Sequence, residues 1–383
     1  MGDTTVNTLK LSPLLKWAGW KEQELKYIIP ALPKKFDNYY EPFVWWGAVY
    51  FSLPANKYFI NDKSEELIWL YKIITSKEKK DFFKVLDEVI HNWDVLWNIV
   101  LKRNNKFFIH LYKDYSNDKI EEKKLKNKIY EFILAHTDEF NWMFEITFNH
   151  DIENFIKELN RNLLGKIKRM KIIESEKGKL PEKDILDNIE TALKSAFYMH
   201  FRFLYNNKIK YNLPHAYKIA IFLFIRNYAY SWMFRYNQKW EFNVPYWGIW
   251  YNNKNFEKKV DYLRSKPLFE HLDKTIIENK DFEDFFKSNI PQKNDFIFLD
   301  PPYDSEFSTY DKNVFNKEDQ KRLAHYLIHD CKAKWMMIIK NTDFIFDLYN
   351  NKGLNIQTFD KKYLVSFMNR NDKEVTHLLI TNY

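Results

Sequence analysis

A chain of 383 residues, 45% hydrophobic and 19% aromatic, is long enough for two domains with a sizeable core. Its net charge of +8 favours a polyanionic partner, although heavy use of Lys, Asn, Ile, Phe and Tyr is also what an AT-rich genome produces in any protein. One cysteine, Cys331, excludes a disulfide framework and a multi-cysteine metal site; with no signal-peptide core, no run of membrane-spanning length and no myristoylation pattern after Met1-Gly2, the expectation is a cytoplasmic chain without metal or membrane partner.

Residues 10–25 pass from a proline-containing lead into a helix whose amphipathic part is Lys21 to Ile29, with Lys16, Trp17 and Lys21 at its mouth. Tyr39 to Val44 reads as a strand, followed by Trp45-Trp46-Gly47-Ala48 and a short segment from Val49 to Leu53. Strand, glycine-containing turn, then helix presents backbone N–H groups to a nucleotide-like ligand. Lys57 to Asp62 is a second apolar strand that ends in an acid about twenty residues after the first, where doubly wound folds grip ribose hydroxyls.

From Ser76 to Tyr236 the pattern is helical. Ile185, Leu186, Ile189, Leu193, Ala196 and Phe197 recur at spacings of three and four, with Pro181 as a start signal. Lys166, Lys168 and Arg169, with Lys157, Arg161 and Lys171, concentrate positive charge that reads either as a phosphate-contacting surface or as a solvated helix face.

Arg235-Tyr236-Asn237 and Phe242-Asn243-Val244-Pro245-Tyr246 form a compact aromatic and amide cluster, and Asn279-Lys280-Asp281-Phe282 precedes the stretch NDFIFLDPPY. There a continuous apolar run, Phe296 to Leu299, reads as a fully buried strand whose tip carries Asp300, Pro301, Pro302 and Tyr303: a carboxylate, two rigid residues and an aromatic face. Such a tip is either an active-site edge or a simple proline turn. A helix over Gln320–His329 and a strand over Ala333–Ile339 follow, and Tyr363–Phe367 with Glu374–Thr381 reads as a closing hairpin around Asn369–Lys373.

In order, KWAGWK, YYEPFVWWGA, Asn61-Asp62, FNVPY, Asn279 to Phe282, DPPY and the terminal LLITNY resemble the motifs of the Dam-type DNA adenine N6-methyltransferases. The resemblance covers residues 10–75 and 235–383. It implies an α/β, Rossmann-like methyltransferase sheet formed by residues 1–75 and 236–383, with an inserted, mainly helical target-recognition domain over 76–235. It further implies S-adenosylmethionine as methyl donor, duplex DNA as partner and adenine as acceptor, and leaves open a cognate restriction endonuclease. By position, Trp17, Lys21, Glu41, Pro42, Phe43, Gly47, Asp62, Asp281, Phe282 and Asp300 match the donor site, and Asp300, Pro301, Pro302 and Tyr303 the catalytic motif. Lys16, Lys166, Lys168, Arg169, Arg235 and Asn237 are expected to contact DNA.

Cytosine C5 methylation would need a cysteine nucleophile in a prolyl motif, which Cys331 does not occupy, and a zinc deaminase would need His and Cys ligands at fixed spacing, which one cysteine cannot supply. An amino-methyltransferase acting on cytosine N4 or on RNA shares the DPPY logic and stays as an alternative.

The chain departs from the family at its glycines, carrying Trp20, Trp45, Trp46, Trp240 and Trp247 at positions where those motifs use Gly. Only seven glycines remain, against a usual share of about 7%. A turn needing positive φ accepts Trp only with strain, so a further alternative is a DNA-binding relative whose donor pocket is blocked by indole.

Overall fold

The computed structural model describes residues 11–15, 24–96, 102–144, 150–233, 235–303, 315–362 and 374–383. Lys16, Trp17, Trp20 and Lys21 lie outside them. Two compact units divide the chain: residues 1–77 with 262–383, and residues 78–261.

The first unit begins with α1 (Leu25–Ala31), β1 (Asn38–Glu41), β2 (Lys57–Asn61) and α2 (Glu65–Ile73). The second contains α3 (Lys79–Val95), α4 (Arg103–Ser116), α5 (Glu122–Ala135), α6 (Thr137–Phe144), α7 (Ile152–Lys177), α8 (Glu182–Asn206) and α9 (His215–Tyr228). The chain returns through α10 (Glu257–Arg264) to α11 (Lys266–Asp273), β3 (Thr275–Glu278), α12 (Phe282–Ser288), β4 (Phe296–Leu299), α13 (Lys317–His325), β5 (Lys334–Lys340), α14 (Asp343–Tyr349), β6 (Asn355–Lys362) and β7 (Glu374–Thr381).

The strands form one sheet in the order β3-β2-β1-β4-β5-β7-β6. β1 to β5 run parallel, and β7 is inserted antiparallel between β5 and β6. Parallel strands covered on both faces need continuous apolar runs, which is why FIFL is buried at every position. Alternation then divides the side chains: Ile297, Leu299, Trp335, Met337, Ile339, Leu378 and Ile380 face a core shared with Phe285, Phe286, Leu323 and Tyr349 from the helices. Trp335 is fully buried and its indole N–H reaches the Leu327 carbonyl at 3.1 Å, so the largest side chain in this core leaves no polar group unmatched. The closing antiparallel pair uses Asn355–Lys362 as its first arm; the Tyr363–Phe367 arm expected from sequence lies outside the described residues.

In the second unit α7 and α8 are long antiparallel neighbours by connectivity, joined through Gly178, whose φ of 91° ends α7, and Pro181, which opens α8. Asp151 caps α7 by accepting the Asn154 N–H at 3.0 Å. Lys194 is buried on α8 because Glu190 Oε1 at 2.5 Å and the Asn252 carbonyl at 2.6 Å both accept from it. The FNVPY segment is fastened to the same helix. Tyr198 and Arg202 donate to the Val244 carbonyl at 2.9 and 3.1 Å, and Asn206 makes a two-way bond with Phe242. Residues 236–261 accordingly pack in the helical unit, whose second boundary falls at Asp261. Among the described residues no helix is long and apolar enough to cross a membrane.

Candidate active site

Strand order reverses between β1 and β4, which are hydrogen-bonded neighbours although most of the chain separates them. In doubly wound sheets the crevice beyond the carboxyl ends of such a pair is the ligand site. Glu41-Pro42-Phe43 leaves β1 there and Asp300 leaves β4, so two of the stretches singled out by sequence are brought to one place. Glu41 itself is buried and accepts the Tyr39 hydroxyl at 2.7 Å.

After β1 the chain makes a tight turn. Val44 N–H donates to the Asn61 carbonyl at 2.9 Å, and Gly47 N–H closes back on the Val44 carbonyl at 2.7 Å. Trp45 is the first central residue of this turn and has φ 45°, while Gly47 has φ 69°. That left-handed region costs an L-residue about 1–2 kcal/mol and is ordinarily given to glycine. Gly47 is required twice over, since a Cβ there would lie 2.9 Å from the Tyr71 hydroxyl and 3.0 Å from Tyr50 Cδ1. Trp240 (φ 59°) shares the strain expected of Trp45, whereas Trp46 and Trp247, read from sequence in the same way, do not enter the region; Trp232 (φ 51°), not singled out by sequence, does.

Asp62, at the tip of β2, is nearly buried and takes two backbone donors, Trp45 N–H at 3.0 Å and Ser64 N–H at 2.9 Å. Asn61 beside it holds three segments together: its amide donates to the Pro42 carbonyl (3.1 Å) and the Lys280 carbonyl (3.0 Å) and accepts the Lys280 N–H (2.9 Å). Asn279 completes the tie by donating to the Asp62 carbonyl at 2.7 Å.

Asp281 follows as the N-cap of α12, accepting Glu283 N–H at 3.0 Å. Lys63 lies 2.9 Å and Arg322 3.4 Å from its carboxylate. Partial burial raises its pKa, but the Lys63 bond, the Glu283 N–H and Arg322 outweigh this and hold the carboxyl below its ordinary value. Phe282 is buried, with Phe43 and Phe315 rings 5.9 Å away and the Arg322 guanidinium 4.8 Å above its ring.

Asp300 and Pro301 are buried, Pro302 and Tyr303 half-buried. The Asp300 carbonyl accepts the Trp45 indole N–H at 2.9 Å, and the Pro302 carbonyl accepts the Gln320 amide at 2.8 Å. Tyr303 hydroxyl lies 3.1 Å from Nε2 of His377, a fully buried residue on β7. Sequence reasoning missed Gln320 and His377. The available signals were a polar side chain on an otherwise apolar helix face and a histidine interrupting the terminal strand.

In the helical unit, Arg161, Lys166 and Arg169 of α7 line a cavity of about 330 Å³ with Ser195, Tyr246 and Gly248. Burial pulls the Lys166 ammonium below its usual pKa. Lys168 instead faces Glu122 at 2.8 Å, so the basic run divides between a cavity wall and a surface ion pair. Arg235 reaches Asn243 Oδ1 at 3.0 Å, and the Asn237 side chain organises its own turn through Lys239 N–H, Glu241 N–H and Glu241 Oε2.

Sheet order, the antiparallel strand between β5 and β6, and an acid-tipped crevice at the reversal point define a Rossmann-like methyltransferase fold. The chain belongs to the D12 class N6 adenine-specific DNA methyltransferases, whose family model matches residues 17–179 and 145–365. It is 26% identical over 393 aligned positions to the Type II methyltransferase M.MjaIII of Methanocaldococcus jannaschii, covering 98% of this chain and 100% of that protein. It is 24% identical to M1.LlaDCHI of Lactococcus lactis subsp. cremoris over 98% of this chain and 97% of the relative. The Type II methyltransferase M.CviBI of Paramecium bursaria Chlorella virus NC1A is 36% identical over 42% of this chain and 60% of its own length.

Proposed function

We propose that this chain transfers a methyl group from S-adenosylmethionine to the exocyclic amino nitrogen of an adenine flipped out of duplex DNA. The observation that carries the reading is the meeting of β1 and β4 at the strand-order reversal, with Asp62 at the tip of β2 and Asp300 at the tip of β4, one on each side of β1. The acids suit such a donor: Asp62 can accept ribose hydroxyls, and Asp281 beside Phe282 can accept an adenine amino group. Trp45, which spans from the β1 turn to the Asp300 carbonyl, is the part of the crevice that fits least well.

The donor supplies an electrophilic methyl carbon on a sulfonium, which leaves as a neutral thioether. An adenine amino group is a poor nucleophile because its lone pair is delocalised into the ring. The Asp300 carboxylate and the Pro301 carbonyl accept its two N–H hydrogens and turn the nitrogen toward tetrahedral geometry, so that the lone pair localises toward the methyl. As the N–C bond forms, the surplus proton on nitrogen departs along the hydrogen bond to Asp300 and on to water. Tyr303, with its hydroxyl against His377, offers a ring face for the flipped base. Lys166 and Arg169 supply phosphate contacts for the duplex.

Asp300→Ala is expected to lower single-turnover methylation on the order of 100-fold or more while leaving DNA affinity nearly unchanged. Nucleoside digestion of the modified DNA should yield N6-methyladenine. A variant with near-normal turnover would remove Asp300 from the mechanism, and N4-methylcytosine in the digest would change the acceptor.

A further inference from the structure

Trp45 stands at the strand-order reversal, and hydrogen bonds from its backbone and its indole hold it there. Its N–H donates to Asp62 Oδ2 at 3.0 Å, its indole N–H to the Asp300 carbonyl at 2.9 Å, and its carbonyl accepts the Tyr71 hydroxyl at 3.3 Å. The indole thus bridges from the turn after β1 to the tip of β4, across the space that a ligand of this sheet type occupies. Its backbone is in the left-handed region, so an unstrained turn at this point would carry a residue without a side chain.

We propose that residue 45 sets access to the donor pocket: the indole closes the crevice between β1 and β4, and its removal opens the pocket and frees the Asp300 carbonyl. This rests on the donor reading given above. Titration of S-adenosylmethionine into the protein by calorimetry is expected to give at least about tenfold tighter binding for Trp45→Gly than for the parent chain, with Trp45→Ala gaining affinity too, since it removes the same indole ring. Trp240→Gly, which relieves a comparable strain in the helical unit, should fold better without changing donor affinity. Equal or weaker donor binding by folded Trp45→Gly and Trp45→Ala, with measurable binding by the parent, would overturn the gate and leave the donor reading standing. Absence of binding by every folded variant would overturn the donor reading itself.

A second inference rests on the backbone alone. Among the described non-glycine residues with positive φ, Asp118, Asp151, Asn212, Ser231 and Asn351 carry the short polar side chains that tolerate this region; Trp45, Trp232 and Trp240 do not. The chain holds 13 Trp and 7 Gly, an inversion of the usual balance. We infer that positions 45, 232 and 240 carry glycine in the protein as its own cell makes it, through decoding as glycine of a codon read here as tryptophan. Peptide mass spectrometry of the protein isolated from its source should find glycine at all three positions, and tryptophan at any of them would overturn the inference.

Discussion

Gly47→Ala puts the turn after β1 to the most direct test. Two costs add at this position. The φ of 69° places an L-residue in the left-handed region, a cost of about 1–2 kcal/mol. The new Cβ would also sit 2.9 Å from the Tyr71 hydroxyl, 3.0 Å from Tyr50 Cδ1 and 3.2 Å from Phe51 Cδ2. None of those rings can swing away freely: all three are buried, Tyr50 is hydrogen-bonded to Thr275 at 2.6 Å, and Tyr71 is bonded to the Trp45 carbonyl. Overpacking of this kind costs about 1–3 kcal/mol, so the total is roughly 2–5 kcal/mol. Gly165 provides the contrast, because it lies within α7 and a Cβ added there would meet nothing within 4 Å. Gly165→Ala should therefore stabilise the helical unit by about 0.5–1 kcal/mol through helix propensity. Urea denaturation of both variants, with tryptophan fluorescence and circular dichroism followed together because the two units can unfold separately, reads the two signs. A loss below about 1 kcal/mol at Gly47 would refute the packing argument.

The basic helix and a buried histidine give two further outcomes. Replacing Lys166 and Arg169 together with Gln should flatten the salt dependence of DNA binding by roughly 1.8 units of log–log slope, whereas Lys168→Gln should change it little because its ammonium is paired with Glu122; filter binding over a salt series would expose an unchanged slope for the double variant as a failure. His200 is fully buried beside Asn154, and burial pulls its pKa down to about 3, with Asp151 opposing and His150 reinforcing the shift. The unfolded chain thus takes up this proton first, so the stability held above about pH 6.5 falls as pH drops toward 3, by about 2 kcal/mol at pH 5. His200→Asn should shrink the difference in unfolding free energy between pH 7 and pH 5 by that amount, and an unaltered difference would show that His200 does not carry it.

Sequence by itself determined the elements whose signal is local. FIFL followed by Asp-Pro-Pro-Tyr reads as a buried strand that stops at its prolines, because parallel central strands must be apolar throughout and proline cannot continue either strand or helix. The helical texture of α8 is equally local, since Ile185, Ile189, Leu193 and Ala196 recur at spacings of three and four and all are buried. The ordered motifs also carried the family. What needed the tertiary structure was every relation between segments far apart in the chain. That Asn61 ties Pro42 to Lys280, that His377 meets Tyr303, and that Gln320 holds the Pro302 carbonyl follow from strand order, which no single stretch encodes. The basic run shows the same division. Composition marks Lys166, Lys168 and Arg169 alike, but the turn of the helix sends Lys168 toward Glu122 while the other two line a cavity. The tryptophans make the point most sharply: the resemblance to glycine-bearing motifs suggested strain at Trp45, Trp46, Trp240 and Trp247, besides Trp20 outside the described residues, but φ is fixed by the hydrogen bonds that close each turn, and these put only Trp45 and Trp240 of the four in the left-handed region.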